Sequence, residues 1–252
     1  MIGLFDSGIG GLTVVRELLR QKPDASFIYL GDTARTPYGN KSAETVTRYS
    51  LEDAKFLLDH GATSIVIACN SASAVAADAL RKAYPNVPVF EVISPAVEDA
   101  LAVTKGRIGV IGTRATIGSG TYEKRLSEKK VSVLSVSCPL FVPLVEEGWL
   151  DDGETKRIAR RYLSPLRTAN IDTMILGCTH YPLLAPIIQR YMGRGVKLID
   201  SGASVVTRLL SSPDIRHGTG EQTFYLTDPS KRSEEIAAKW LGRSIRFETA
   251  TL

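Results

Sequence analysis

Only three cysteines, Cys69, Cys138 and Cys178, occur in the 252 residues. The first residues, MIGLFDSG, carry no basic segment, and Asp6 interrupts their short apolar run. An odd cysteine count without an export signal disfavours a disulfide framework and points to reduced thiols in the cytoplasm. No apolar stretch approaches the roughly 18 residues needed to cross a bilayer, so no membrane partner is expected. Charge of one sign is scarce as well: 31 Lys and Arg against 27 Asp and Glu leave a net charge of +4, spread along the chain. The densest basic segment, Lys156 to Arg167, places Arg157, Arg160, Arg161 and Arg167 on a helical pattern. It reads as a solvated helix face, and no nucleic-acid partner is expected. Gly8-Ile9-Gly10-Gly11 lacks the spacing of a dinucleotide fingerprint, so no nicotinamide cofactor is expected.

What is present is a regular alternation of strand and helix. Ile2 to Asp6, Ser26 to Leu30, Ile65 to Ala68 and Val89 to Val92 read as strands. Between them lie a helix over Leu12 to Arg20, one capped by Ser42 and stopped at Gly61, and one over Ala72 to Tyr84. Ser94-Pro95 reads as the N-cap and first residue of a helix over Ala96 to Thr104. Such alternation predicts an α/β fold with parallel sheets covered by helices on both faces. At Arg107 the pattern restarts: IGVIGTRATIGSG parallels IGLFDSGIGG, with Gly109 106 residues after Gly3 and Cys178 109 residues after Cys69. Two similar units are therefore expected, divided as 1–93 plus 205–252 and 94–204. A tail of strand Thr223 to Thr227, helix Ser230 to Leu241 and strand Ile245 to Glu248 returns to complete the first sheet.

Two turns carry the chemistry. In TSIVIACNSASA an apolar strand ends at Cys69 and a helix follows; in DTMILGCTHYPLL the same happens at Cys178. Ligands bind at the carboxyl ends of parallel strands, where loops and helix N–H groups converge. Cysteine is often simply buried core, but two at repeated positions, each followed by polar residues, point to function. Cys138 lacks such company and reads as structural, His60 as a helix C-terminal residue, and His217 as loop. Two thiols on opposite sides of one carbon suit removal of a proton from one face and return of a proton to the other. A free thiol has a pKa of about 8.5 and needs help to act as a base. Asp6 and His180 are natural assistants, while Ser7, Asn70, Ser71, Thr179 and helix N–H groups suit a carboxylate. Zinc held by Cys69, Cys178 and His180 stays open from ligand types, without paired Cys-x-x-Cys spacing. A non-catalytic amino-acid-binding module would explain a cleft but not two thiols.

FDSGIGGLTV (Phe5 to Val14), GDTARTPYG (Gly31 to Gly39), ACNSASA (Ala68 to Ala74), GTRATIGSGTY (Gly112 to Tyr122), LGCTHYPLL (Leu176 to Leu184) and IDSG (Ile199 to Gly202) together resemble the glutamate racemases of the aspartate/glutamate racemase superfamily. The resemblance implies two flavodoxin-like domains related by pseudo-twofold symmetry, with the active site in the cleft between them. It implies cofactor-independent, metal-free interconversion of L- and D-glutamate, supplying D-glutamate for peptidoglycan, and often a homodimer. Carried over by motif position, Cys69 and Cys178 are the acid/base pair and Asp6 and His180 assist. Substrate contacts fall on Asp6, Ser7, Tyr38, Gly39, Asn70, Ser71, Thr179 and His180. Asp32, Glu147, Thr113 and Thr116 are candidate supporting residues. Ser71 stands where the usual motif has threonine, which keeps the hydroxyl and loses a methyl. An aspartate or other acidic amino-acid racemase is the alternative within the superfamily.

Overall fold

A computed structural model describes residues 1–213, 215 and 220–252. The first half begins β1 (Ile2–Asp6), α1 (Leu12–Gln21), β2 (Phe27–Gly31), α2 (Ala43–Asp59), β3 (Ser64–Ile67), α3 (Asn70–Ala83), β4 (Val89–Glu91) and α4 (Ile93–Val103). The second continues β5 (Arg107–Gly112), α5 (Arg114–Gly118), α6 (Thr121–Ser127), β6 (Ser132–Ser137), α7 (Phe141–Glu146), α8 (Gly153–Thr168), β7 (Thr173–Gly177), α9 (Ala185–Met192), β8 (Lys197–Asp200) and α10 (Ser201–Leu210). The tail is β9 (Gln222–Leu226), α11 (Lys231–Leu241) and β10 (Glu248–Thr249).

Two parallel sheets result, ordered β10-β9-β2-β1-β3-β4 and β6-β5-β7-β8. Strands β1, β3 and β7 are buried along their whole length, which is why they read as unbroken apolar runs rather than alternating ones. The repeated Ile-Gly has a packing cause. A Cβ on Gly3 would stand 2.8 Å from Ala62 Cβ, and one on Gly109 2.5 Å from Ile171 Cδ1. In each unit a glycine on the central strand lets the covering layer approach closely.

Ser42 caps α2 by accepting from Thr45 N–H, and Gly61 leaves the helix at φ +91. Ser230 and Ser233 form a reciprocal box at the start of α11. The expected Ser94-Pro95 cap is not used. Helix α4 starts at Ile93 because the buried carboxylate of Glu91 accepts from Ile93 N–H at 2.6 Å and from Ser94 N–H, satisfying the first-turn donors one residue earlier. The last strand is also later and shorter than its sequence pattern. Gly242 ends α11 at φ +69, Ile245 and Phe247 pack against the core, and pairing with β9 is confined to Glu248 and Thr249. Arg157, Arg160, Arg161 and Arg167 lie on the exposed face of α8, whose Thr155, Ala159, Leu163 and Leu166 face inward. His60 closes α2 and stacks on Phe56. His217 lies outside the described residues. No helix among the described residues is long and apolar enough to cross a membrane.

Candidate active site

The carboxyl ends of β1, β3, β5 and β7 open onto one cavity of about 520 Å³ between the two sheets. Ser7, Cys69, Asn70, Ser71, Gly39, Thr113, Cys178, Thr179 and His180 all line it. Cys69 and Cys178 both line it although each residue is buried, at 5% and 6% exposure. The halves touch closely around the cavity. Thr13 Oγ1 donates to Thr179 O at 2.8 Å, and a Cβ on Gly10 would fall 2.4 Å from Thr179 Oγ1. Across the mouth, a Cβ on Gly39 would fall 2.9 Å from Thr113 Cβ, so glycine there permits the approach of the Tyr38-Gly39 turn.

The surroundings of the two thiols differ. Cys69 donates to Ser7 Oγ at 3.6 Å. Burial, reinforced by the negative charge of Asp6, pushes its thiol up to about 12, against N–H groups of Ala72 and Ser7 that act the other way. Asp6 is itself buried: Oδ2 accepts from Gly11 N–H at 3.0 Å, and Oδ1 has no hydrogen-bond partner among the described residues. Burial pushes this carboxyl up to about 6, opposed by the charge of His180 and by backbone N–H groups of Gly11, Gly8 and Ser7. On the other side, His180 Nδ1 stands 3.9 Å from Cys178 Sγ and Nε2 stands 2.9 Å from Glu146 Oε1. Burial works to lower the imidazole's pKa, but those two partners outweigh it and the ring is pushed up to about 10. Trp240 closes the far side, its ring edge-on to the imidazole with centroids 5.7 Å apart.

Behind the cavity wall the polar groups interlock. Tyr122 Oη donates to Asn70 Oδ1 at 2.7 Å, and Asn70 Nδ2 donates to Ser201 Oγ at 3.1 Å, so this amide ties α3 to the second unit. Ser71 Oγ lies 3.0 Å from Thr113 Oγ1 and 3.2 Å from Thr116 Oγ1. Thr113 lines the cavity and Thr116 supports it from behind. Asp32 is buried outside the cavity, bonded to Arg35, Tyr38 and Thr227. Cys138 is fully buried, its Sγ 3.6 Å from Val136 O.

Three of the candidate residues stand off the cavity wall. Asp6 does not line the cavity; it stands beneath Ser7 and Cys69, held by the turn it caps at Gly11. Tyr38 does not line it either, because its hydroxyl is drawn inward to Asp32 and Asp53. Glu147 is exposed and pairs with Arg232 at 2.8 Å, while its neighbour Glu146 holds His180. Successive residues on α7 point about 100° apart, and the contact with His180 comes from a distant part of the chain. Residues not singled out in the sequence but found here are Glu146, Arg114 on the cavity wall, Ser201 and Trp240. Arg114 and Ser201 lie inside the GTRATIGSGTY and IDSG stretches and Glu146 adjoins the candidate Glu147, whereas Trp240 left no signal in the sequence pattern. Among the described residues, no group of three or more His, Cys, Asp or Glu is arranged to hold a metal ion.

Comparison with known proteins identifies the family. A glutamate racemase from Persephonella marina is 47% identical over 253 residues, covering 100% of this chain and 97% of that protein. The crystal structure of a glutamate racemase isoform from Bacillus anthracis superposes with a TM-score of 0.94 at 39% identity, covering 100% of this chain and 97% of that one. The glutamate racemase of Francisella tularensis, solved in complex with D-glutamate, gives 0.91 at 36% identity, covering 99% and 97%. The family model described as Asp/Glu/Hydantoin racemase matches residues 12–209, and with two strand-end thiols on one cavity the chain belongs to that family.

Proposed function

We propose that the protein interconverts L- and D-glutamate, with Cys69 and Cys178 as the acid/base pair acting on opposite faces of the α-carbon. The observation that carries this reading is that Cys69 and Cys178 line one cavity, each with a different ionisable companion. In one direction the Cys178 thiolate takes the α-proton, and the C–H electron pair passes into the α-carboxylate system. Cys69 then delivers its thiol proton to the other face, the electron pair returns to carbon, and the sulfurs exchange protonation states. The reverse direction runs the same transfers backward.

Asp6 accepts and returns the Cys69 proton, and His180 does so for Cys178. A cationic imidazole beside a sulfur favours negative charge there, and Glu146 at 2.9 Å from Nε2 orients that ring. Substrate carboxylates are held by Ser7, Asn70, Ser71, Thr113 and Thr179, with Gly39 closing the mouth. Arg114 supplies positive charge on the wall, which suits a dicarboxylate. The same reading divides the chain into 1–93 plus 205–252 and 94–204. It also places the enzyme in the cytoplasm, where reducing conditions keep the thiols free and D-glutamate enters peptidoglycan synthesis.

The deciding experiment incubates the protein in D₂O with each enantiomer of glutamate and of aspartate. Glutamate should take up deuterium at the α-carbon while its optical rotation decays. Retention of both rotation and α-proton by glutamate would sink the proposal, and turnover of aspartate alone would replace its substrate.

A further inference from the structure

A second set of titratable groups lies buried behind the cavity wall, outside the proton-transfer machinery. Asp32 and Asp53 are both fully buried, and both lie within hydrogen-bond reach of the single hydroxyl of Tyr38, Asp53 Oδ2 at 2.8 Å. Arg35 bridges them, with Nε donating to Asp32 Oδ2 at 2.6 Å and Nη2 to Asp53 Oδ1 at 3.0 Å. Glu52 also pairs with Arg35, so three carboxyl groups share one guanidinium. Thr227 Oγ1 donates to Asp32 Oδ1 at 3.0 Å.

Counting protons constrains the arrangement. A phenol has one hydrogen to donate, and two carboxylate oxygens face it. If Tyr38 donates to Asp32, which also accepts from Arg35 and Thr227, Asp53 Oδ2 needs a hydrogen of its own to approach the phenol oxygen. Burial, with the charge of Asp32, also pushes the Asp53 carboxyl well above its ordinary range.

The network has a mechanical consequence. Thr36, Pro37, Gly39 and Asn40 line the cavity, and they flank Tyr38 in the chain. The ring of Tyr38 is locked inward by this network, so the turn that carries Gly39 to the cavity mouth is anchored from α2. Resting on the glutamate reading above, we propose that Asp53 is a neutral carboxylic acid that donates to Tyr38 and thereby acts as a positioning residue for the Thr36–Asn40 lip over bound substrate.

Infrared difference spectra of wild type against Asp53→Asn test the protonation state, and kinetics with glutamate test the consequence. The wild type should show a protonated-carboxyl C=O band at neutral pH that Asp53→Asn lacks. Asparagine can still donate to Tyr38 and accept from Arg35, so Asp53→Asn should keep a near-normal KM. Asp53→Leu and Tyr38→Phe should each raise KM by about tenfold, with kcat changed by less than about twofold. Absence of the band overturns the neutral acid. Equal KM in Asp53→Asn and Asp53→Leu, or an unchanged KM in Tyr38→Phe, overturns the positioning role. If the wild type does not turn over glutamate, the functional reading fails while the infrared result still decides the state of Asp53.

Discussion

Cys69 and Cys178 follow equivalent parallel strands and open onto the same cavity, yet Cys69 stands near a carboxyl group and Cys178 near an imidazole held by a second acid. An inversion with two bases needs one sulfur protonated and the other not at the start of each turnover. A symmetric site would leave that choice open. Here burial and Asp6 hold Cys69 as a thiol, up to about 12. His180, cationic up to about pH 10, neutralises negative charge on the other side. If the two thiols are the acid/base pair, this difference between the halves is what lets a repeated fold perform an unsymmetrical first step.

The largest effect that tests this comparison comes from removing either sulfur. Cys69→Ala and Cys178→Ala should each lower racemisation by about 10²–10⁴-fold while retaining the native circular dichroism spectrum. Each variant keeps one sulfur and should therefore exchange the α-proton of only one enantiomer in D₂O, the opposite one in each case. Exchange of both enantiomers by a single variant would show that one thiol serves both faces. His180→Asn should follow with a loss of about 10²-fold. Its wild-type counterpart should show an alkaline limb near the pH of about 10 at which the imidazole loses its proton. An alkaline limb unaltered in His180→Asn would detach the ring from Cys178.

Asp6 tests the other half, and it predicts stability and activity in opposite directions. A carboxyl raised from 3.8 to about 6 is protonated more readily in the folded than in the unfolded chain. Folded stability therefore falls as pH rises through that window, and the deficit persists at neutral pH. Asp6→Asn should remove it and stabilise the protein at pH 7 by on the order of 1–3 kcal/mol, read from denaturant unfolding. The same change should lower kcat by about 10- to 100-fold and abolish the acid limb near pH 6, since the proton acceptor for Cys69 is gone. A variant less stable than wild type, with its acid limb intact, would place the titration elsewhere.

How far the site could be read from the chain depended on the range of the contacts that build it. Strands β1, β3, β5 and β7 were visible because parallel strands buried on both faces leave unbroken apolar runs. Gly3 and Gly109 were visible because each sits where a side chain would collide with the covering layer. Both cysteines and His180 followed from those strands, since a turn just past a strand end needs only local information. The inward lock of Tyr38 depends on Asp53, 15 residues away on another element. The start of α4 depends on the Glu91 carboxylate, which replaces an otherwise well-formed Ser-Pro cap. Local propensity describes what a segment prefers, whereas these positions are decided by which buried polar groups find partners.

The smallest contrast separates two adjacent acids. Glu146 accepts from or shares a proton with His180 Nε2 at 2.9 Å, across 34 residues of chain, and lines the cavity. Glu147 pairs with Arg232 on the surface, both side chains more than half exposed at 57% and 59%. Glu146→Gln keeps a hydrogen bond to the ring and removes the negative charge that sustains the imidazolium. It should lower kcat by about tenfold and move the alkaline limb toward neutral pH. Glu147→Gln removes an exposed ion pair of about 0–1 kcal/mol and should leave the pH profile in place, with kcat within about twofold of wild type. Equal pH profiles in the two variants would mean that His180 draws its charge from Cys178 alone, and the unlike equipment of the two halves would then reduce to one residue on each side.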